Sequence, residues 1–320
     1  TLPFAVDSFE PAPATLVPPF VELSSPADVD DEAARKLPFP AVLRFRYGSS
    51  AVGTRVVLDR DEARAEAQRL VAIVRDADAA DAHYGGCGFR FGDGAASLLL
   101  SGFVEGTEHD VDLLLFDGEL VDAWVTDNGD TDLPMCAETL VVAPSRLSAS
   151  RQQQLISAAW QACRRVGLMN GAACLDMKLS PTGPKVIEIN GRMGGYNIPD
   201  WVRRVWGFDL AAACYQIACG IRPIGRVRRA PLTALAGVYT YPGDGARPEA
   251  VSAADLVRVP LSGGAPGAEY REPMESIGWA AATPDEAVAR MIDGLGELYA
   301  ERPDRAATLR RYASRLPRDD

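Results

Sequence analysis

Residues 176–192 read DMKLSPTGPKVIEINGR, and this stretch decides the architecture. Apolar and β-compatible residues over Ala172–Leu179 and Lys185–Ile189 predict two strands. Ser180-Pro-Thr-Gly183 between them supplies the turn chemistry of a hairpin. Glu188, Asn190 and Arg192 are spaced two apart, so an extended segment would aim all three at one face. Asp176 lies on the partner strand. That face would carry two carboxylates, a carboxamide oxygen and a guanidinium. Hard oxygen donors on a rigid strand suit Mg2+, which completes its shell with water and phosphate oxygens. A guanidinium suits phosphate bidentately. The bland alternative is a charged strand facing water with Arg192 paired to Glu188. The partner-strand aspartate, the apolar flanks and the following Met193-Gly-Gly195, where backbone can approach a ligand closely, argue against it.

Upstream, Ala41–Phe45 and Thr54–Leu58 read as strands around the small-residue turn Tyr47-Gly-Ser-Ser-Ala-Val-Gly53. Backbone N–H groups of Gly48, Ser49, Ser50 and Gly53 could turn toward phosphate oxygens. No Gly-Lys-Ser/Thr follows, so this is not a Walker A loop, and alone it is a plain hairpin. Arg44 enters that loop, where a cation could reach the α- or β-phosphate. Asp61–Val74 has helical spacing. In Ser101–Asp112 one strand breaks at Gly106 and a second begins among acids. A linker there could offer backbone groups to an adenine edge and a carboxylate to ribose hydroxyls; alone, Glu105 and Glu108 are solvated turn acids. Asp110 and Asp112 alternate with apolar residues, as in a half-buried strand. Asp117-Gly118 is a hairpin turn before Leu120–Thr126. Ser148–Val166 reads as a helix ended by Gly167, and Asp200–Ile221, Pro284–Ala300 and the basic last twenty residues are helical.

Strands arrive in hairpins rather than alternating with helices, which predicts an α+β fold with antiparallel sheets. The expected organisation is a linker or end of a preceding domain over 1–38, a small lobe over 39–104, a large lobe over 105–235, and an extension over 236–320 packed on the large lobe. A net charge of −11 argues against nucleic acid and membrane surfaces as partners. Six cysteines without a CxxC pair and only two histidines disfavour a zinc site and read as reduced thiols of a cytoplasmic protein. Neither a signal peptide nor a membrane-spanning run is visible. The chain begins at Thr1, as a processed protein or a fragment would.

The three blocks, in this order and spacing, resemble the ATP-grasp superfamily over roughly residues 38–222. Leu37-Pro-Phe-Pro40, Val104–Leu113, Asp127-Asn-Gly129, Ile187-Glu-Ile-Asn190, Arg192-Met-Gly-Gly195 and Ala218-Cys-Gly220 look like the catalytic half of carnosine synthases. The resemblance implies an ATP-grasp fold whose two α+β lobes clamp the nucleotide. It implies a ligase joining β-alanine, or a related amino acid, to histidine as ATP becomes ADP and phosphate through an acyl phosphate. By position, Asp176, Glu188 and Asn190 would hold Mg2+, with Mn2+ an acceptable substitute. Arg192 would steady the acyl phosphate, Glu108 would bind ribose, the backbone of Gly102, Phe103 and Val104 would meet adenine, and residues 48–53 would close over the phosphates. Two departures stand out: Arg44 replaces the family's usual lysine, and Gly102 its usual glutamate. Other amino-acid substrates, and a nucleotide-binding regulatory module without turnover, are the rival readings. A homo-oligomer is left open.

Overall fold

A computed structural model describes residues 15–46, 51–75, 97–133, 136–226, 230–252, 255–261 and 273–318. Gly48, Ser49 and Ser50 lie outside the described residues. The chain runs β1 (Phe20–Leu23), α1 (Glu32–Arg35), β2 (Ala41–Phe45), β3 (Arg55–Val57), α2 (Arg60–Arg75), β4 (Leu98–Gly102), β5 (Thr107–Phe116), β6 (Glu119–Asn128) and β7 (Leu140–Ala143). It continues with α3 (Ala149–Arg165), β8 (Gly171–Ser180), β9 (Gly183–Asn190), α4 (Ile198–Trp206), α5 (Leu210–Ala218), β10 (Ala234–Thr240), β11 (Leu256–Pro260), β12 (Glu275–Ala281), α6 (Pro284–Leu298) and α7 (Pro303–Ala313).

Two antiparallel sheets result. The smaller has the order β1-β4-β2-β3, and the larger has the order β11-β12-β10-β7-β6-β5-β8-β9. Alternation explains the small sheet: Ala41, Leu43 and Phe45 of β2 are buried while Val42 and Arg44 are not. The buried set joins Leu98 and Leu100 of β4 and Ala63, Ala67 and Leu70 of α2 in one core. The alternate set, Val42 and Arg44 among them, faces a cleft.

The large sheet obeys the same rule. Val111, Leu113, Val125, Leu175, Met177 and Val186 pack against Leu155, Ile156 and Ala159 of α3. On the opposite face Leu114, Trp124 and Val141 meet Trp201, Val202 and Val205 of α4. Farther along that face, polar residues replace the apolar ones and no helix covers them; there the cleft opens.

Two expectations about chain organisation differ from the structure. Part of the stretch expected as linker, Phe20–Leu23, pairs with β4 through Phe20↔Ser101 to Leu23↔Leu98. A short segment with prolines on its N-terminal side makes an edge strand, where the missing N–H groups cost no ladder bonds. The C-terminal stretch does not merely pack on the large lobe. β10 pairs with β7 and with β12, so it completes the sheet. β10 and β7 pair over a separation of about a hundred residues in sequence, which local periodicity does not register.

The crossing between the sheets turns on Gly106. Its φ is +135°, and a Cβ there would sit 2.3 Å from the Leu179 carbonyl oxygen. Only glycine fits both the backbone conformation and the approach to β8.

Candidate functional site

The register of the large sheet assembles the site. Asp110 of β5 stands opposite Asp176 of β8, and Asp176 stands opposite Glu188 of β9. Directly opposed residues share a face, so three carboxylates form one row across three strands. The next row is Asp112, Cys174 and Asn190; the row on the other side holds Glu108 and Lys178. A β-bulge between Asp176 and Met177 inserts Ile187 as the extra residue and sends Val186 to the core side. Arg44, Gly102, Phe103, Val104, Glu108, Asp176, Glu188, Asn190 and Arg192 all line one cleft of about 1420 Å³.

Arg192 does not lie on the strand. β9 ends at Asn190, and the Arg192 amide donates to the Asn190 carbonyl at 2.8 Å, a tight bend around Gly191. The guanidinium reaches back, with Nη2 donating to Asn190 Oδ1 at 3.3 Å and Nη1 to the Met193 carbonyl at 2.8 Å. The even spacing placed it on the right face for a reason other than strand alternation.

Two of the backbone donors in the segment expected at adenine are occupied within the fold. The amides of Gly102 and Phe103 donate to the carbonyls of Pro19 (2.9 Å) and Pro40 (3.2 Å). Beside this segment, Lys178 Nζ lies 4.8 Å from the centroid of the Phe103 ring and 3.6 Å from Glu108 Oε2. Arg44 crosses from the small sheet, Nη2 donating to the Ile187 carbonyl at 3.4 Å, which brings its guanidinium to the acid row. Gly53 has φ +69°, and its would-be Cβ meets the Phe45 ring at 2.3 Å, fixing the described end of the glycine-rich turn to the small-sheet core.

Asp110, Asp112, Lys178 and Glu138 are functional candidates the sequence reading did not assign. The spacing Glu108-x-Asp110-x-Asp112 was a usable signal for the aspartates. Lys178 lay inside the hairpin that was read, two residues beyond Asp176. Glu138 had no local signal, because it lies in an irregular loop between β6 and β7. Asp112 Oδ1 accepts the Gly194 amide at 2.9 Å and so holds the bend that follows Arg192. His109 is buried, bonded through Nδ1 to Asp127 Oδ1 (2.9 Å) and through Nε2 to Thr107 Oγ1 (2.7 Å). It faces away from the acid row.

The electrostatics of the row favour a divalent cation. Burial, then the neighbouring Glu138, Asp112 and Glu108 carboxylates, hold Asp110 well above the usual carboxylate range. Burial with Asp110 and Glu188 does the same to Asp176. Burial and Asp176 push Glu138 up to about 8, and burial pushes Asp112 up to about 7. Ligand atoms of Asp110, Cys174 and Asp176 lie within 4.8 Å of one another. Burial also pushes the Cys174 thiol well up, so it stays protonated and offers no thiolate. The donors that remain are hard oxygens, a set that fits Mg2+ rather than Zn2+.

These raised values set the sign of a pH effect. In the metal-free fold the acids keep protons to higher pH than in the unfolded chain, so stability falls as pH rises from about 4.5 through about 8. The metal-free unfolding temperature is expected to drop on the order of 5 °C between pH 5.5 and 8.5, and Mg2+ with an ATP analogue to cancel the drop. Differential scanning fluorimetry across that range checks it; a flat metal-free profile contradicts it.

Two sheets clamping a cleft, with a carboxylate row and an arginine on one wall and Val42 and Arg44 of β2 on the other, define an ATP-grasp protein. The chain belongs to the family described as carbamoyl-phosphate synthase L chain, ATP binding domain, whose family model matches residues 7–223. Carnosine synthase 1 of Gallus gallus is 41% identical over 270 residues, covering 81% of this chain and 28% of that protein. Carnosine synthase 1 of Homo sapiens is 37% identical over 301 residues, covering 89% of this chain and 35% of that protein. The chain thus spans about a third of the length of these curated relatives. Among solved structures, the L-amino acid ligase from Bacillus licheniformis superposes with a TM-score of 0.68 at 19% identity, over 90% of this chain and 67% of that one; this likeness concerns the fold. No helix among the described residues is long and apolar enough to cross a membrane.

Proposed function

We propose that this chain is the ATP-dependent ligase unit of an enzyme that joins a carboxylate to an amine, forming a dipeptide of the carnosine type. β-Alanine or a related amino acid is the donor and L-histidine the acceptor. The observation that carries the reading is the cross-strand row Asp110, Asp176 and Glu188, flanked by Asn190 and Arg192, in a cleft roofed by the small sheet. The likeness to carnosine synthases supports the substrate class.

Asp176, Glu188 and Asn190 would hold Mg2+, with Asp110 facing them; Mn2+ accepts the same oxygen donors. The ion supplies charge neutralisation for the polyphosphate, which lets a second anion approach. Arg192 presents its guanidinium where a phosphoryl group and a carboxylate would meet. Lys178, Phe103 and Glu108 form the base and ribose end, and Arg44 stands between the phosphate turn and the acid row. In the reaction a substrate carboxylate oxygen bonds to the γ-phosphorus as the bond to ADP breaks. The amine nitrogen then bonds to the acyl carbon, phosphate leaves with the bonding pair, and the amine proton passes to solvent or phosphate. The acyl phosphate survives only where water is excluded, which gives residues 48–53 the role of a cover.

The 320-residue chain, incubated with Mg2+, ATP and pairs from an amino-acid panel, is expected to release ADP and yield a dipeptide mass for β-alanine plus histidine. Nucleotide binding without ADP release for any pair would leave only a binding module.

A further inference from the structure

Glu138 is a carboxylate of the cleft to which the acid row and its arginine give no role. This residue directly follows the Asp132–Ala137 bridge, two residues before β7. Tyr241 Oη donates to its backbone carbonyl at 2.8 Å, and the Tyr239 amide donates to the Thr139 carbonyl at 3.0 Å. The loop is thereby fixed against β10, and Glu138 lines the cleft. Among the described residues its carboxylate receives no hydrogen bond and joins no ion pair. Asp176 and Glu188, the acids assigned to the metal, likewise have none, whereas Glu108 has Lys178, Asp110 has the Asn128 amide group at 2.9 Å, and Asp112 has Gly194.

Besides Asp176, Glu108 and Arg192, whose charges reach it, Glu138 has aromatic neighbours. Tyr239 is buried, its hydroxyl donating to Asn197 Oδ1 at 2.6 Å, and its ring lies 5.4 Å from that of Tyr196, tilted by 59°. Both tyrosines line the same cleft. Tyr196 has φ +51°, a left-handed backbone that a bulky side chain seldom adopts. Such an outlier persists only where its surroundings over-determine it. Here it puts an aromatic ring at the site directly after the Arg192–Gly195 bend. A carboxylate without a partner beside two tyrosine rings is complementary to a primary ammonium group, through charge and through the ring faces.

We propose that Glu138, walled by Tyr196 and Tyr239, receives the ammonium group of the amino acid whose carboxylate is activated. The inference rests on the ligase reading above and assigns a subsite within it. Its chemical logic separates the two substrates. The acceptor amine must lose a proton before it attacks, and a facing carboxylate would oppose that loss. The donor amine must stay out of the reaction, and a counter-charge keeps it protonated and unreactive. The site therefore selects zwitterionic donors and rejects carboxylic acids without an amine.

The test is calorimetric titration of the full chain, with Mg2+ and a non-hydrolysable ATP analogue, by amino acids each paired with its desamino counterpart. β-Alanine is paired with propionate and γ-aminobutyrate with butyrate. The best-bound amino acid is expected to exceed its counterpart by at least ~30-fold, as loss of a buried charge partner implies. Glu138→Gln is expected to remove most of that difference and Glu138→Asp to restore part of it. In turnover, Glu138→Gln raises the donor KM with a smaller change in kcat. The proposal falls if discrimination survives Glu138→Gln, or if no amino acid outbinds its counterpart on the parental chain. It also falls if the variant instead changes the Mg2+ requirement, or lowers kcat at constant donor KM, which would make Glu138 a metal holder or a proton acceptor. Should Glu138→Gln not fold, the parental comparison decides alone. Failure of the ligase reading looks different: amino acids are discriminated, yet no ADP is released with any amine.

Discussion

Glu188→Ala is expected to lower ATP turnover about a thousandfold or more while leaving the fold intact. A metal ion at a phosphoryl-transfer site contributes several kcal/mol to the transition state, and about 1.4 kcal/mol corresponds to each tenfold in rate. Glu188 stands directly across from Asp176, so its removal takes a donor from the centre of the set. The same removal deletes one of the like charges that raise Asp176. Without metal, the variant's unfolding temperature is therefore expected to equal or exceed the parental one. Paired measurements of ADP release and thermal unfolding check both halves. Parental turnover would refute the metal assignment, and a collapsed melting temperature would make Glu188 a structural residue instead.

Arg192→Ala is expected to lower kcat by about 10²–10³-fold with little change in the KM for ATP, the signature of a donor that acts mainly on developing charge. The guanidinium lies past the strand end, exposed to the cleft and held by the Asn190 carboxamide and the Met193 carbonyl. It is preorganised without being locked in a buried ion pair. Arg192→Lys keeps the charge but not the planar fork, so it should recover only part of the loss. Steady-state kinetics of both variants decide. A raised ATP KM at constant kcat would assign Arg192 to ground-state nucleotide binding.

Legibility differed sharply between residues. Asp176, Glu188 and Asn190 were readable because they sit in one hairpin, where turn chemistry fixes the register and a period of two fixes the face. Arg44 was readable for the same reason on β2. The pairing of β5 with β8 was not, since Asp110 and Asp176 are 66 positions apart in sequence; without that pairing Asp110 is only an acid on a half-buried strand. The amides of Gly102 and Phe103 looked available from sequence, yet Pro19 and Pro40 occupy them. Pro19 approaches through the edge strand β1, which composition alone marked as linker, and Pro40 through the start of β2. Glu138 lies in a loop whose position is fixed by β10, a hundred residues later in the chain.

The sequence by itself determined strands β2, β5, β6, β8 and β9, the sides they bury and the hairpin that carries the Glu-x-Asn-x-Arg run, because all of these follow from interactions between residues close along the chain. Only the tertiary structure decided which acids face one another, which backbone donors remain available and which carboxylates have no partner. Those properties depend on strand order and on burial, and desolvation and charge repulsion act through space between groups the chain keeps far apart.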